Sequence, residues 1–346
     1  MELKQVMKIT SLSISGPTYG IGHTSRQQAL LESAKFEGWE TSHLLIRDLD
    51  PLIPQLNELF EATKDSRCLV IDLDPRFVEK HKLSLNTCLG GIPFDSVHKF
   101  VIDSDSNFPI RNMLNTVQFK VAIHPYGSLG CKTNGKELSG FGYSIFSRTL
   151  QYVRNTKSYS TINEQNILVS CGGSDPENIS SFFLRALDEF SDSKLNIKLV
   201  IGQFFSAAQI EKVQLQAKNI SHQVEILDSP LSLDEAFAFS DISFVTGGLT
   251  RNESMFSGVC TVVADINQEQ FESTNLFASR DAVVSLGLLN SDGSGREETA
   301  AVEQIRSILG NRKRQKILIE NAKVCFPENG ASRVLAEIGD VCLKRT

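Results

Sequence analysis

Short apolar runs alternate along the chain with longer amphipathic stretches. In the first half the runs 7–14, 41–46, 67–71, 99–102 and 120–123 read as buried strands. Residues 24–37, 53–63 and, more weakly, 75–86 carry helical spacing between them. Strand and helix in alternation predict a parallel sheet covered on both faces. Trp39 is expected to fill the core between the first helix and the second strand, since aromatic rings dominate core area.

The pattern lapses over residues 125–164. That stretch holds Gly127, Gly130, Gly135, Gly140 and Gly142, and reads as loops with one short helix over 144–153. The polar stretch that follows reads as a linker. Beyond it the alternation restarts, with strands expected over 166–171, 197–201, 224–227, 242–245, 261–263 and 283–285. Helices are expected over 177–190, 207–218, 231–238, 250–257, 268–279, 297–309, 312–323 and 331–343. The prediction is an α/β chain of two doubly wound, Rossmann-like domains facing across a cleft. The N-terminal domain spans 1–153, the linker 154–165 and the C-terminal domain 166–346, with the last helix able to pack back on the N-terminal domain. Clefts between domains commonly take small ligands.

Composition narrows the class. The chain has 346 residues, 41% apolar and 22% charged, with a net charge of −6. It lacks the basic face that nucleic acid requires. No apolar run reaches the length of a membrane span, and the first residues carry no signal-peptide core. The seven cysteines are scattered and never form C-x-x-C, so reduced thiols in a cytoplasmic protein are expected. The dispersed histidines show no H-E-x-x-H, so neither metal nor cofactor is expected. The sequence does not address oligomeric state.

Three turns hold the candidate chemistry. Gly20-Ile21-Gly22-His23-Thr24-Ser25-Arg26 links the first strand to the first helix. It sits at the carboxyl end of a strand, where open α/β sheets bind ligands. Gly20 and Gly22 permit close backbone approach. His23 can activate a water or hydroxyl near neutral pH. Thr24 or Ser25 is expected to cap the helix, with Arg26 in its first turn. The glycines do not follow G-x-G-x-x-G, so this is not the dinucleotide fingerprint; a tight turn with a solvated histidine is the plainer alternative.

In the second half, Ser170-Cys171-Gly172-Gly173-Ser174-Asp175-Pro176 and Val245-Thr246-Gly247-Gly248-Leu249-Thr250 each join a strand to a helix. Ser174 or Asp175 can cap, and Pro176 suits a first helical turn. Both loops would aim backbone N–H groups at a diphosphate. Glu253, one turn into its helix, can accept hydrogen bonds from both hydroxyls of a ribose, or simply favour the helix dipole.

These motifs resemble a family. Gly20–Arg26, Ile167-Leu-Val-Ser-Cys-Gly-Gly-Ser-Asp175 and Gly247-Gly-Leu-Thr-Arg-Asn-Glu253 resemble the PseG-type UDP-sugar hydrolases of pseudaminic acid biosynthesis, and more widely the MurG-like glycosyltransferases of GT-B fold. Val70-Ile71-Asp72, Val101-Ile102-Asp103, Gly140-Phe-Gly-Tyr143 and the stretch from Gly258 to Gln270 extend the match over most of the chain. The resemblance implies that His23 acts on the water attacking the anomeric carbon. It places Gly20, Gly22, Arg26, Asp72, Asp103 and Tyr143 on the sugar side. Gly172, Gly173, Ser174, Gly247, Gly248, Thr250 and Gln270 fall toward the diphosphate, Glu253 at the ribose and Leu227 by the uracil. The chain departs from the family at Asp103-Ser104, where two aspartates are usual, and at Glu269-Gln270, where the family has Asn-Gln; Glu269 should point away from a diphosphate.

The function expected is metal-independent cleavage of a UDP-sugar to UDP and free sugar, in the making of a surface glycan of the nonulosonic acid type. One alternative is a GT-B glycosyltransferase moving the sugar to an acceptor hydroxyl. Another is a non-catalytic nucleotide-sugar binding protein.

Overall fold

The computed structural model describes residues 7–48, 50–93, 96–103, 109–125, 136–160, 165–190, 194–289 and 298–343. Ser104, Gly127, Gly130, Cys131, Gly135 and the first six residues, all named above, lie outside them. The chain divides into two compact units, one running up to Arg148 and resuming at Glu328, the other spanning Thr149–Pro327. The first division falls upstream of the 154–165 linker read from polarity.

The first unit contains β1 (Lys8–Ser15), α1 (Gly22–Phe36), β2 (Glu40–Arg47), α2 (Leu52–Thr63), β3 (Cys68–Asp72), α3 (Pro75–Gly91), β4 (His98–Ile102), α4 (Ile110–Met113), β5 (Val121–His124) and β6 (Lys136–Ser139). Its parallel sheet has the order β2-β1-β3-β4-β5-β6. The chain leaves β1 toward β2 and returns on the other side as β3, so the order reverses between β1 and β3. That reversal opens the crevice in which such sheets hold ligands. In β1, Ile9 packs with the α1 face while Leu12 and Ile14 pack with the opposite face. Burial on both sides takes in Thr10, Ser11 and Ser13 as fully as the apolar positions.

The second unit holds α5 (Arg148–Thr156), β7 (Gln165–Ser170), α6 (Ile179–Asp188), β8 (Leu195–Ile201), α7 (Ala207–Asn219), β9 (Gln223–Asp228), α8 (Asp234–Phe239), β10 (Ile242–Thr246), α9 (Leu249–Ser257), β11 (Cys260–Asp265), α10 (Gln268–Ala278), β12 (Val284–Leu288), α11 (Glu298–Leu309) and α12 (Arg312–Cys325). Its parallel order is β12-β11-β10-β7-β8-β9. The reversal here lies between β7 and β10, the two strands that lead into the Gly-Gly loops.

The last helix, α13 (Ala331–Leu343), packs into the first unit through Ala331, Val334, Leu335, Ile338 and Cys342. These positions recur every three or four residues and so share one face. Trp39 is partly buried in that core and lies against Gly339 of α13. It therefore fills space beside the last helix as well as the first. Among the described residues, no helix is long and apolar enough to cross a membrane, and six cysteines are free thiols.

Candidate active site

The loop after β1 is pinned by a bridge between Gly16 and Gly20, with Gly20 at φ +69°, where a side chain would be strained. The helix begins at Gly22, two residues before the expected start, so Arg26 falls in its second turn. No side chain caps α1. Thr24 lies inside the helix, and its hydroxyl donates to the Ile14 carbonyl and meets Ser13 Oγ at 3.1 Å. This overturns the expectation of a Thr24 or Ser25 cap: a helix that starts early leaves those hydroxyls beyond the orphan N–H groups.

His23 Nδ1 lies 2.7 Å from Asp72 Oδ1, at the end of β3. Asp72 is completely buried. Arg26 grips it from the side, Nε donating to Oδ2 at 2.7 Å and Nη2 to Oδ1 at 2.6 Å, and Gln27 Nε2 donates to Oδ2 at 3.2 Å. Burial opposes the Asp72 charge, yet Arg26 and His23 hold its carboxyl well below the usual range. A carboxylate only accepts, so Nδ1 carries a proton and the lone pair of a neutral ring lies on Nε2. The ring is 11% exposed. Burial pulls its pKa down, but Asp72 and then Asp74 outweigh that, against the smaller opposing effect of Arg26, and hold it above the ordinary value. The arrangement is a base oriented by an acid, the pairing that general-base catalysis uses.

Asp72 and Arg26, expected on the sugar side, are both buried and bound to each other beside His23. Asp72 spends its two oxygens on Arg26, Gln27 and His23. Asp103, at the end of β4, is also buried; it accepts from the Ile110 N–H at 2.7 Å and faces Arg111 Nε at 3.7 Å, and burial pushes it up to about 7. Tyr143 packs against the α1 and α13 core, its backbone close to Gly330. Among the described contacts, nothing brings its side chain to His23.

In the second unit, three loops converge at the carboxyl ends of the strands. A Cβ on Gly172 would lie 4.0 Å from Thr246 Oγ1, and one on Gly247 would lie 2.0 Å from Asp265 Oδ1 and 3.0 Å from Gln270 Cβ. Gly172 takes φ +78°. Gly173 accepts from the Phe204 N–H at 2.8 Å, which seats the first loop on the β8–α7 turn. Ser174 is partly exposed beside it.

The helix after this loop begins at Ile179, and Asp175 accepts from the N–H groups of Ile179 and Ser180 at 2.8 and 3.0 Å. Pro176 therefore precedes the helix, and the α6 N-terminus already holds a carboxylate of its own. The α9 terminus differs. Its N-cap is Gly248, no side chain caps it, and a Cβ there would meet nothing within 4 Å. Gly248 is exposed and Thr250 partly so.

Glu253 has no hydrogen-bond partner among the described residues. Burial, with Asp234 adding to it, raises its carboxyl to about 7. Gln270 folds back, accepting from the Ile266 N–H at 3.3 Å, while Asn267 caps α10 and Glu269 is exposed. Leu227 is partly buried on β9, the sheet edge, three strand spacings or roughly 14 Å from β10. A cavity of about 210 Å³ between the carboxyl halves of α6 and α7 is at the other end of those helices, away from the loops.

Asp265 and Asp74 were missed. Asp265 is fully buried, accepts from Thr274 at 2.7 Å and is pushed to about 6 by burial. Its signal was present: an apolar strand ending in aspartate, as at Asp72 and Asp103. Asp74 caps α3 by accepting from the Arg76 N–H at 2.9 Å, and Asp followed by Pro75 is the corresponding sequence mark.

No protein-family model matches the chain. It is similar to the spore coat polysaccharide biosynthesis protein SpsG of Bacillus subtilis, at 23% identity over 261 residues, 72% of this chain and 74% of that protein. Among solved structures it is similar to MurG of Acinetobacter baumannii, with a TM-score of 0.61 at 14% identity over 96% of this chain and 99% of that one. It is similar also to S. aureus MnaA in a co-structure with UDP, with a TM-score of 0.63 at 13% identity over 96% of each chain. The fold is GT-B-like. Identities this low speak for the architecture alone, and the residues above must carry the chemistry.

Proposed function

We propose that the chain cleaves a UDP-sugar to UDP and free sugar by attack of water at the anomeric carbon. The observation that carries this reading is the His23–Asp72 pair, with Nε2 left to accept a proton. Water would give its proton to Nε2 as its oxygen bonds to the anomeric carbon, and the bond to the diphosphate would break with its electron pair leaving on phosphate oxygen. Backbone N–H groups at Gly248 and the start of α9 would neutralise that charge. Glu253, which has no hydrogen-bond partner among the described residues, would accept from the ribose hydroxyls, and Leu227 would lie by the base. Asp103 and Tyr143 remain proposals for the sugar side, and Gly172, Gly173, Ser174 and Gln270 for the diphosphate. Binding of UDP by MnaA and the role of SpsG in polysaccharide biosynthesis favour a UDP-sugar and a surface-glycan setting.

A glycosyltransferase is the second reading, favoured by the likeness to MurG; an acceptor hydroxyl would then replace water at Nε2. The test is UDP release by His23→Ala. General-base loss typically costs on the order of 10²–10⁴ in rate, so turnover should fall by at least 100-fold while UDP affinity, by calorimetry, stays within a few-fold. Full turnover in that variant overturns the reading. Slow release that an added acceptor accelerates would select the transferase, and no release with any UDP-sugar would leave a binding protein.

A further inference from the structure

His23 lies between two carboxylates. Asp72 takes Nδ1, and Asp74 Oδ2 stands 3.9 Å from Nε2, the edge left for chemistry. Asp74 is not a free anion. Arg76 donates from Nε to Oδ1 at 2.9 Å and from Nη2 to Oδ2 at 2.8 Å, and the Arg76 backbone N–H also donates to Oδ1. The same Nη2 donates to the Thr18 carbonyl at 3.2 Å, and the guanidinium lies 5.5 Å from the centre of the Tyr19 ring. Arg76 thus ties the carboxylate facing His23 to the loop that carries His23. Its side chain is 63% exposed, whereas that of Asp74 is 10% exposed.

We propose that Asp74 is a positioning residue for His23, stabilising the ring once Nε2 is protonated, and that Arg76 limits how much of the Asp74 charge the ring feels. The inference rests on the reading of His23 as the base. Asp72 cannot supply this function alone, because it is bonded to Nδ1 and shared with Arg26 and Gln27. The charged groups facing the ring are Asp72 from β3, Asp74 from the β3–α3 turn and Arg26 from α1, with Arg76 behind Asp74. An anion about 4 Å from Nε2 favours the charged ring, and a cation paired to that anion weakens the effect.

The sign follows. A base must be neutral to act, so activity rises as pH climbs through the His23 titration. Asp74→Asn removes a negative charge and moves that limb to lower pH, while Asn still caps α3. Arg76→Ala leaves Asp74 uncompensated and moves the limb to higher pH.

The experiment is NMR titration of His23 in the free full-length chain, for wild type, D74N and R76A. It is paired with the pH profile of kcat/KM for UDP release, each profile scaled to its own plateau. On the acid side, scaled D74N activity should exceed wild type by about threefold or more and R76A should fall below it, with the NMR midpoints moving in the same opposed senses. A merely structural role for Asp74 would change stability without opposed shifts. An unchanged midpoint in D74N, or movement of both variants in one direction, overturns the proposal. If His23→Ala kept full turnover while the midpoints still moved apart, the assignment of the base would fail and the coupling of Asp74 to the ring would stand.

Discussion

The two Gly-Gly loops of the second unit each join a strand to a helix, and their helix termini are satisfied in different ways. After β7, Asp175 turns its buried carboxylate onto the N–H groups of Ile179 and Ser180, so the α6 terminus is neutralised from within. After β10, the N-cap Gly248 receives no side-chain cap and a Cβ there would meet nothing within 4 Å, while Asp265 and Gln270 lie against the preceding Gly247. A helix N-terminus attracts anions through its unsatisfied N–H groups and dipole, but an internal carboxylate already satisfies one of these two. The proposed diphosphate site is therefore placed at the α9 terminus, whose N-cap has no side-chain cap.

The largest effect should come at Gly247. A Cβ there would lie 2.0 Å from Asp265 Oδ1 and 3.0 Å from Thr274 Oγ1, inside a packed polar cluster. The backbone would have to move, and overpacking of this kind costs about 3 kcal/mol. Gly247→Ala should therefore lower the urea midpoint substantially and weaken UDP binding with it. Gly248→Ala, with nothing in its way, should leave the midpoint nearly unchanged. If both variants unfolded alike, the second loop would be a packing element and the contrast between the loops would lose its basis.

Much of the architecture could be read from period and punctuation. Both parallel sheets follow from apolar runs alternating with amphipathic ones, and the His23 and Gly248 turns follow from their glycines. Strand β6 did not register, because Lys136–Ser139 is four residues long, largely polar and at a sheet edge, where burial on both faces no longer imposes an apolar run. Helix α4, four residues long, is too short for a helical period. The site was legible as residue types and not as roles. Asp72 read as a ligand-facing acid at a strand end; only the structure shows Arg26 closing over it from the next turn of α1. Asp74 was hidden because its capping function explains it locally, while its distance to His23 depends on how β3 and α1 pack.

Glu253 sharpens the comparison from inside the open loop's helix. Its carboxyl is raised by burial to about 7, so the folded chain holds a proton there more tightly than the unfolded one. Stability from that proton is fully present in the acid range below the ordinary carboxylate pKa and is lost as pH rises through about 7. Glu253→Gln does not ionise, so the variant should gain on wild type as pH rises between those limits, reaching about 3 kcal/mol by pH 8, followed as the difference in thermal midpoint across pH. UDP binding should move the other way, weakening by about tenfold, the scale of one lost hydrogen bond to a charged group. A variant that bound UDP as wild type does would return Glu253 to the role of a helix-dipole partner.

Asp175 gives the converse test in the closed loop. Truncation to Ala removes both acceptors from the α6 terminus and leaves the N–H groups of Ile179 and Ser180 buried without partners. Loss of such a cap costs about 1–2 kcal/mol, so Asp175→Ala should lower the urea midpoint. Its UDP affinity, measured by calorimetry at a temperature where the variant is fully folded, should stay within about twofold of wild type, since the free backbone donors proposed for the diphosphate charge are at the α9 terminus and those of the α6 terminus are turned to Asp175. Asp175→Asn retains one acceptor and should recover much of the stability. A selective collapse of UDP affinity in the folded Ala variant would mean that the first loop, with Asp175 setting the shape of Gly172 and Gly173, is the true diphosphate cradle; the two loops would then differ in how they are built but not in what they hold.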